Sequence, residues 1–362
     1  MEMKIFFREL IESYIDQGVT QRSTYECELE DDEFITYHKL EGLLFLWLRK
    51  KNQDCNAISY KKENDEIRHR AEGLVERNRK YLSIATSLMD RLNAINVEFV
   101  FLKGLSLILN HKQDISHRRF ADIDILVPKE RLSDVEAVLL AMGYQYGENC
   151  NGAIKKASRS DVIYQRLHTH EIHNMIMPDT DGFISNIDVN FHFSWKCPDF
   201  DEKRMRVLNF HDVAEHVIKI ELENNLYPVF DDTMQFIHLC CHLYNESRFF
   251  SLDRNYSEEK RYDLKLFRLV DIILLLHRCH LNIHEVYQYC LSINCQHKIN
   301  YVLKAISLLY NEDIVKPFLT YFSFQKTDMD FFFAKNGNKV RHDRTLINRV
   351  FTNKKIEDDH EI

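Results

Sequence analysis

The segment Ala121-Asp-Ile-Asp-Ile-Leu-Val127 sets two acids inside a run of strand formers. Asp is depleted from strands. Side chains alternate faces along a strand, so Asp122 and Asp124 point the same way, about 7 Å apart, while Ile123 and Ile125 point the other. Two like charges that close disfavour each other's ionised form unless a cation stands near them. The chain must therefore build a strand that is apolar on one face and meets water or a positive charge on the other. Pro128 ends it.

The surrounding sequence reads as helix, then a small sheet, then helix. Residues 1–96 are helical in pattern. The segment 38–50 is amphipathic, and Leu82, Ala85, Leu88, Leu92 and Ile95 repeat near helical spacing. Asn96 stops that helix. Residues 97–101 (VEFVF) form a short strand, and Lys103-Gly104 turns the chain into a helix starting near Leu105. After the 121–127 strand, Ser133 and Glu136 have the spacing of a capping box, and Gly143 is a natural helix stop. Residues 162–177 and 183–195 read as two further strands joined by PDTDG. In the second, Ile187, Val189 and Phe191 share one face, and Asn186, Asp188, Asn190 and His192 the other. From about 205 the pattern is helical again, most clearly at 233–246 and 263–280. The expected organisation is an N-terminal helical region (1–96), an α/β core with a small mixed sheet of roughly four strands (97–200), a C-terminal helical region (201–334) and a charged, solvated tail (335–362).

Composition narrows the function classes. Of 362 residues, 9 are Gly and 5 are Pro, which argues against glycine-rich phosphate loops. The net charge of −8 argues against a dedicated binder of long nucleic acid, though a short RNA end is not excluded. The charged N-terminus lacks the apolar centre of an export signal, and no window reaches 18 uncharged apolar residues. The nine cysteines are expected to be reduced thiols of a cytoplasmic protein without membrane association.

Asp122 and Asp124 on one strand, with Asp188 on the polar face of another, make an oxygen-rich set suited to hard divalent cations. Mg²⁺ takes one or two carboxylates and uses substrate phosphates for the rest. Two such ions clamp the attacking and leaving oxygens of a displacement at phosphorus. Lys103 stands between a strand and a helix, where it and the helix N-terminus can meet an anion together. Arg119 lies just before the acids and can neutralise phosphate charge.

Leu102-Lys103-Gly104, Arg119, Asp122-Ile-Asp124-Ile-Leu-Val127 and the Ile187-Asp188-Val-Asn-Phe191 strand together resemble the uncharacterised nucleotidyltransferases of the DNA polymerase β-like superfamily. The likeness spans about residues 35–285 and extends to Met142-Gly-Tyr144 and to the basic helix ending in VDIIL (270–274). It implies an α+β fold, a small mixed-sheet nucleotidyltransferase core between helical regions. It also implies that Asp122, Asp124 and Asp188 are catalytic and bind the metal, Mg²⁺ as two ions with Mn²⁺ as an alternative. Lys103, Gly104 and Arg119 would hold the triphosphate, and Asp188 would be ligand or base. The implied reaction moves a nucleoside monophosphate from an NTP, ATP foremost, to a hydroxyl of a small molecule or protein. The alternatives are an RNA 3′ end as acceptor, or a nucleotide-binding or interaction module without turnover. In this chain Asn190-Phe191 stands where relatives often carry His-Trp, with His192 and Trp195 nearby.

Other clusters carry less. On a strand, alternation would put His168 and His170 on one face and Glu171 and His173 on the other. His238 and His242 share a helix face, but Cys240 and Cys241 point elsewhere, against a zinc site. Asp271, inside an apolar helix, needs a partner if buried, for which Lys265, Arg268 or a backbone group is at hand. Arg118 reads as a surface charge, and the aromatic run 318–324 as core.

Overall fold

A computed structural model describes residues 2–15, 31–54, 61–111, 115, 118–150, 152–193, 206–248, 264–333 and 338–351. Four helices come first: α1 (Glu2–Ile15), α2 (Asp31–His38), α3 (Glu41–Asp54) and α4 (Lys61–Ala94). The central part runs β1 (Val100–Phe101), α5 (Lys103–His111), β2 (Ile123–Leu126), α6 (Leu132–Ala141), β3 (Gln145–Cys150), β4 (Ala153–Lys156), α7 (Arg159–His168), β5 (Met175–Pro178) and β6 (Ile184–Asn190). A short α8 (Phe210–Val213) precedes β7 (Val217–Leu222) and β8 (Asn225–Phe230). Next come α9 (Asp232–Arg248), α10 (Leu266–Arg278), α11 (Ile283–Ile293) and α12 (Gln296–Leu309). The chain closes with β9 (Phe331–Phe333), β10 (Lys339–Arg341) and α13 (Leu346–Phe351).

The fold is α+β, a mixed sheet between helical regions. The sheet has eight strands in the order β4-β3-β5-β6-β2-β1-β8-β7. β2 runs antiparallel to β1 and parallel to β6, and β1 runs parallel to β8. The four central strands are those expected. The other four were not expected, and each pair is a hairpin added at one edge. Residues 217–230, expected to be helical, combine an alternating run at 218–222 with an apolar one at 226–230. They turn through Glu223 and Asn224, both in left-handed backbone (φ 51° and 64°), the geometry of a tight hairpin.

Other expectations fail for local reasons. Residues 162–168, expected in a strand, belong to helix α7, because Ser158 and Asp161 form a reciprocal capping box at its start. The proposed box at Ser133 does not form. A 3-10 turn at Lys129–Arg131 leads into α6, and Glu136 accepts hydrogen bonds from Tyr146 and Arg166 instead. α5 begins at Lys103, two residues before the expected start. Residues 339–351, assigned to the tail, form β10 and α13, and Leu346 and Val350 are buried. Trp195 and the acidic stretch 354–362 lie outside the described residues.

The two faces of the sheet pack against separate cores. Phe101, Ile123, Ile125, Ile187, Val189 and Val229 meet α4 and α6. Val100, Leu126 and Phe230 meet a larger core built from α1–α3 and α9–α12, in which residues 318–324 take part. Asp122 and Asp124 alternate with the first set, so they stand on the side of the C-terminal helices.

Two supports fix the segment that enters β2. From α4, Asn78 donates to the carbonyls of Ile115 and Arg118 at 2.6 Å and accepts from the Phe120 amide at 3.0 Å. Arg77 donates to the Phe120 carbonyl at 2.8 Å, and Tyr81 to that of Ala121 at 2.5 Å. From the other side comes Arg118, which is buried and not a surface charge. It pairs with Asp271 of α10 at 3.0 Å. Asp271 thus finds a partner that its own helix does not supply. A methyl group on Gly104 would overlap the Arg118 guanidinium, so glycine is needed there for this ion pair to pass.

Breaking a buried pair leaves one uncompensated charge, whereas removing both partners does not. Arg118→Ala is expected to lower unfolding free energy by about 3–5 kcal/mol. The double variant Arg118→Met/Asp271→Leu should lose far less. Denaturant midpoints of the two singles and the double decide it.

Candidate active site

β2 and β6 lie side by side in parallel, with Asp124 in register with Asp188. Neighbouring strands are about 4.8 Å apart, so the two carboxylates leave the same face of adjacent strands. Their strand neighbours Ile123, Ile125, Ile187 and Val189 all turn into the opposite core, which holds the acids on this side. Asp122 lies two residues upstream and is half-buried. The three acids singled out in the sequence are therefore brought together.

Lys103 answers the like-charge problem. It is the first residue of α5 and adopts left-handed backbone, φ 52°. Its Nζ donates to Asp124 Oδ1 at 2.5 Å. Asp124 is 3% exposed, so both charges are largely out of water. Burial works against the Lys103 ammonium, but Asp124, Asp122 and Asp188 outweigh it and hold its pKa above the usual lysine value. Burial also raises Asp124, to about 6, with Lys103 opposing and Asp122 adding to the rise. Asp188 is pushed well above the carboxylate range by burial, then by Asp122, Asp124 and Glu171.

One atom of this group is left over: Asp188 Oδ1 is buried and has no hydrogen-bond partner. A buried acceptor without a donor is costly. Among the described residues no three acid, histidine or cysteine side chains have their donor atoms gathered for a metal. Asp124 Oδ1 is instead engaged by Lys103. The donor set itself, all carboxylate oxygen with one buried acceptor unpartnered, fits a hard cation.

Around the acids the chain divides by chemistry. The cations are Arg119, which is exposed, Arg268 and Lys39, whose charges act on one another. Lys39 feels the charges of Arg268, Asp122, Arg119 and Glu246. Arg268 donates to Glu246 of α9 at 2.6 Å, and this partner holds Glu246 ionised, far below the usual carboxylate range, although burial opposes this. His170, His238 and His242 form a second, uncharged group near Lys103. Burial, with Lys103 nearby, pushes the first two well below the usual histidine value. Burial takes His242 down to about 3, although Glu246 at 3.2 Å opposes this. All three imidazoles are neutral near pH 7.

Glu171 is bridged to Asn190 of β6 and contacts His170 at 3.5 Å. The alternation expected for 168–173 does not apply, because His168 ends a helix and Glu171 lies in the connection after it. Glu246, Lys39 and the α4 residues Arg77, Asn78 and Tyr81 were not singled out in the sequence. Lys39 lies in the turn after α2 and the others on helices, and none is set apart by its immediate neighbours in the sequence.

A protein-family model described as an uncharacterised nucleotidyltransferase matches residues 32–311, well over half of the chain. No curated protein matches the sequence. Among solved structures, ANT(2″)-Ia in complex with adenylyl-2″-tobramycin is similar at 8% identity and a TM-score of 0.35, over 60% of this chain and 99% of that one. An antigenic nucleotidyltransferase-like protein from Paracoccidioides brasiliensis is similar at 12% identity and a TM-score of 0.32, over 63% and 90%. TM1012 from Thermotoga maritima is similar at 17% identity and a TM-score of 0.26, over 42% and 78%. At that level of likeness the overlays bear on neither substrate nor acceptor. The acids on β2 and β6 and the Lys103 turn fall inside the matched span, and the chain belongs to the uncharacterised nucleotidyltransferase family.

Proposed function

We propose that the protein moves a nucleoside monophosphate from an NTP, ATP foremost, to a hydroxyl of a small-molecule or protein acceptor in the cytoplasm. The acceptor oxygen bonds to the α-phosphorus, the bond from that phosphorus to the bridging oxygen breaks, and pyrophosphate leaves. The observation that carries this reading is the in-register apposition of Asp124, buried, and Asp188, half-buried, with Lys103 against them.

Each residue has a part in it. Asp122, Asp124 and Asp188 would hold Mg²⁺, as two ions, or Mn²⁺, and the metal supplies charge to offset that growing on the α-phosphate and on pyrophosphate. Lys103 and the Gly104 amide stand at the start of α5, where the helix dipole favours an anion. Arg119, exposed at the rim, adds a guanidinium for phosphate oxygens. Asp188, with its unpartnered oxygen, takes the acceptor's proton. Positioning and fixed charge supply most of the rate. The acceptor side is assigned to Glu171 and the neutral histidines, which can hydrogen-bond a hydroxyl without adding charge. Among the described residues no helix is long and apolar enough to cross a membrane.

Asp124→Asn keeps the shape of the side chain and removes its charge. Pyrophosphate release, measured with each NTP and a cell extract as acceptor source, is expected to fall by about 10²–10³. Unchanged release would remove the assignment. The fraction of the extract that gains label identifies the acceptor class, RNA 3′ ends included.

Asp188 yields a second expectation. A carboxyl whose folded pKa is raised binds its proton more tightly in the folded chain, so its contribution to stability declines as pH rises above the unfolded value of about 3.9. Asp188→Asn should therefore stabilise the metal-free protein at pH 8 and change it little at pH 4. Melting curves at the two pH values check this. Added Mg²⁺ should raise the melting temperature of the wild type and not of the variant.

A further inference from the structure

Lys39 sits in the turn between α2 and α3, far in sequence from the acids. Its backbone is left-handed, φ 57°. Its ammonium lies 5.1 Å from the centroid of the Phe267 ring. Two more cations share that ring, with Arg268 at 4.9 Å and Arg118 at 5.5 Å. The other two are neutralised: Arg118 by Asp271 at 3.0 Å, Arg268 by Glu246 at 2.6 Å. Among the described residues no carboxylate forms an ion pair with Lys39.

This is an expensive place for an ammonium. Burial, then the Arg268 charge, lowers the pKa of Lys39, and Arg119 adds to the effect while Asp122 and Glu246 offset part of it. Simple packing on Phe267 would be served as well by an uncharged side chain of the same length. A half-buried cation in no direct ion pair, crowded by two arginines and only partly offset by the charges of Asp122, Glu246 and Glu41, is instead arranged for an anion that comes from outside. The anion must be multiply charged to meet Lys39, Arg119 and Lys103 together. A triphosphate beside the acids meets that demand.

We infer that Lys39 is a phosphate-binding residue of the nucleotide site, holding with Arg119 the two phosphates that leave as pyrophosphate. The inference rests on the reading of the acids as a nucleotidyl-transfer site. It adds that the N-terminal helical region completes this site rather than only packing against it. The aromatic ring of Phe267 keeps the lysine stem in place, and Lys103, nearer Asp124, serves the phosphate that is transferred.

The test is equilibrium binding of pyrophosphate and of ATP, each with Mg²⁺, by calorimetry on the full chain. Lys39→Met keeps the stem over Phe267 and the same backbone requirement but removes the charge. It should weaken pyrophosphate binding by tenfold or more, and Lys39→Arg should restore most of it. Lys265→Ala, which removes a lysine stacked on Tyr37 in the same two segments, should change binding less than twofold. Where turnover is measurable, the loss in Lys39→Met should appear in KM for the NTP more than in kcat. If the wild type binds both ligands and Lys39→Met binds them equally well, Lys39 is structural and the inference falls alone. If the wild type binds neither, the nucleotidyl-transfer reading falls and takes the inference with it.

Discussion

The structure turns on one electrostatic arrangement, a lysine ammonium set against an acid on one strand while a second acid faces it from the next. Adjacent parallel strands in register bring Asp124 and Asp188 to the same face. Without a cation that pairing would strain the sheet at its centre. Lys103 provides one, and the left-handed backbone at its position is part of how the chain reaches it. Asp188 is left without a donor for one oxygen, so the compensation is incomplete. An arrangement balanced on one side only is what a site that receives a further positive charge requires.

The rest of the molecule keeps this arrangement in position. On one side α4 grips the backbone at Ile115, Arg118, Phe120 and Ala121 through Arg77, Asn78 and Tyr81. On the other, Arg118 reaches past Gly104 to Asp271 and ties the same segment to α10. The acid-bearing strand is thus held from both layers by polar contacts as well as by packing. Such contacts are directional, and they set where the side chains of β2 point in a way that apolar packing alone does not.

Much of this was legible in the sequence because it is local. The acid pair in ADIDILV, the alternation in 183–191, the Lys-Gly turn and the helical stripe at 82–95 each depend on neighbours within a few residues. The hairpin at 217–230 left a local signal too: Glu-Asn-Asn lies between an alternating run and an apolar one, a turn signal outweighed by the helical character of residues 233–246 beyond it. Residues 162–168 are ambiguous between strand and helix, and Ser158 with Asp161, just upstream, decides for helix. Pairing at a distance could not be read. Arg118 looks like a surface charge until Asp271, 153 positions later, is brought to it by the fold. Lys39 acquires meaning only when Phe267 and Arg268 arrive. The DIDILV strand announces its chemistry, whereas its supports are recruited from across the chain.

The way β1 is flanked has a consequence for how the chain matures. Its two neighbours are β2, some twenty-five positions on, and β8, more than a hundred positions later. Contacts between segments so far apart form slowly, because a large loop must close before any hydrogen bond rewards it. During synthesis the acids on β2 and β6 emerge well before residue 230, so the sheet that carries them has an unpaired edge at β1 until the later hairpin arrives. An open edge of that kind invites pairing with other chains. The β7–β8 hairpin, which contributes none of the acids, covers that edge through β8 and carries the boundary of the sheet out to β7.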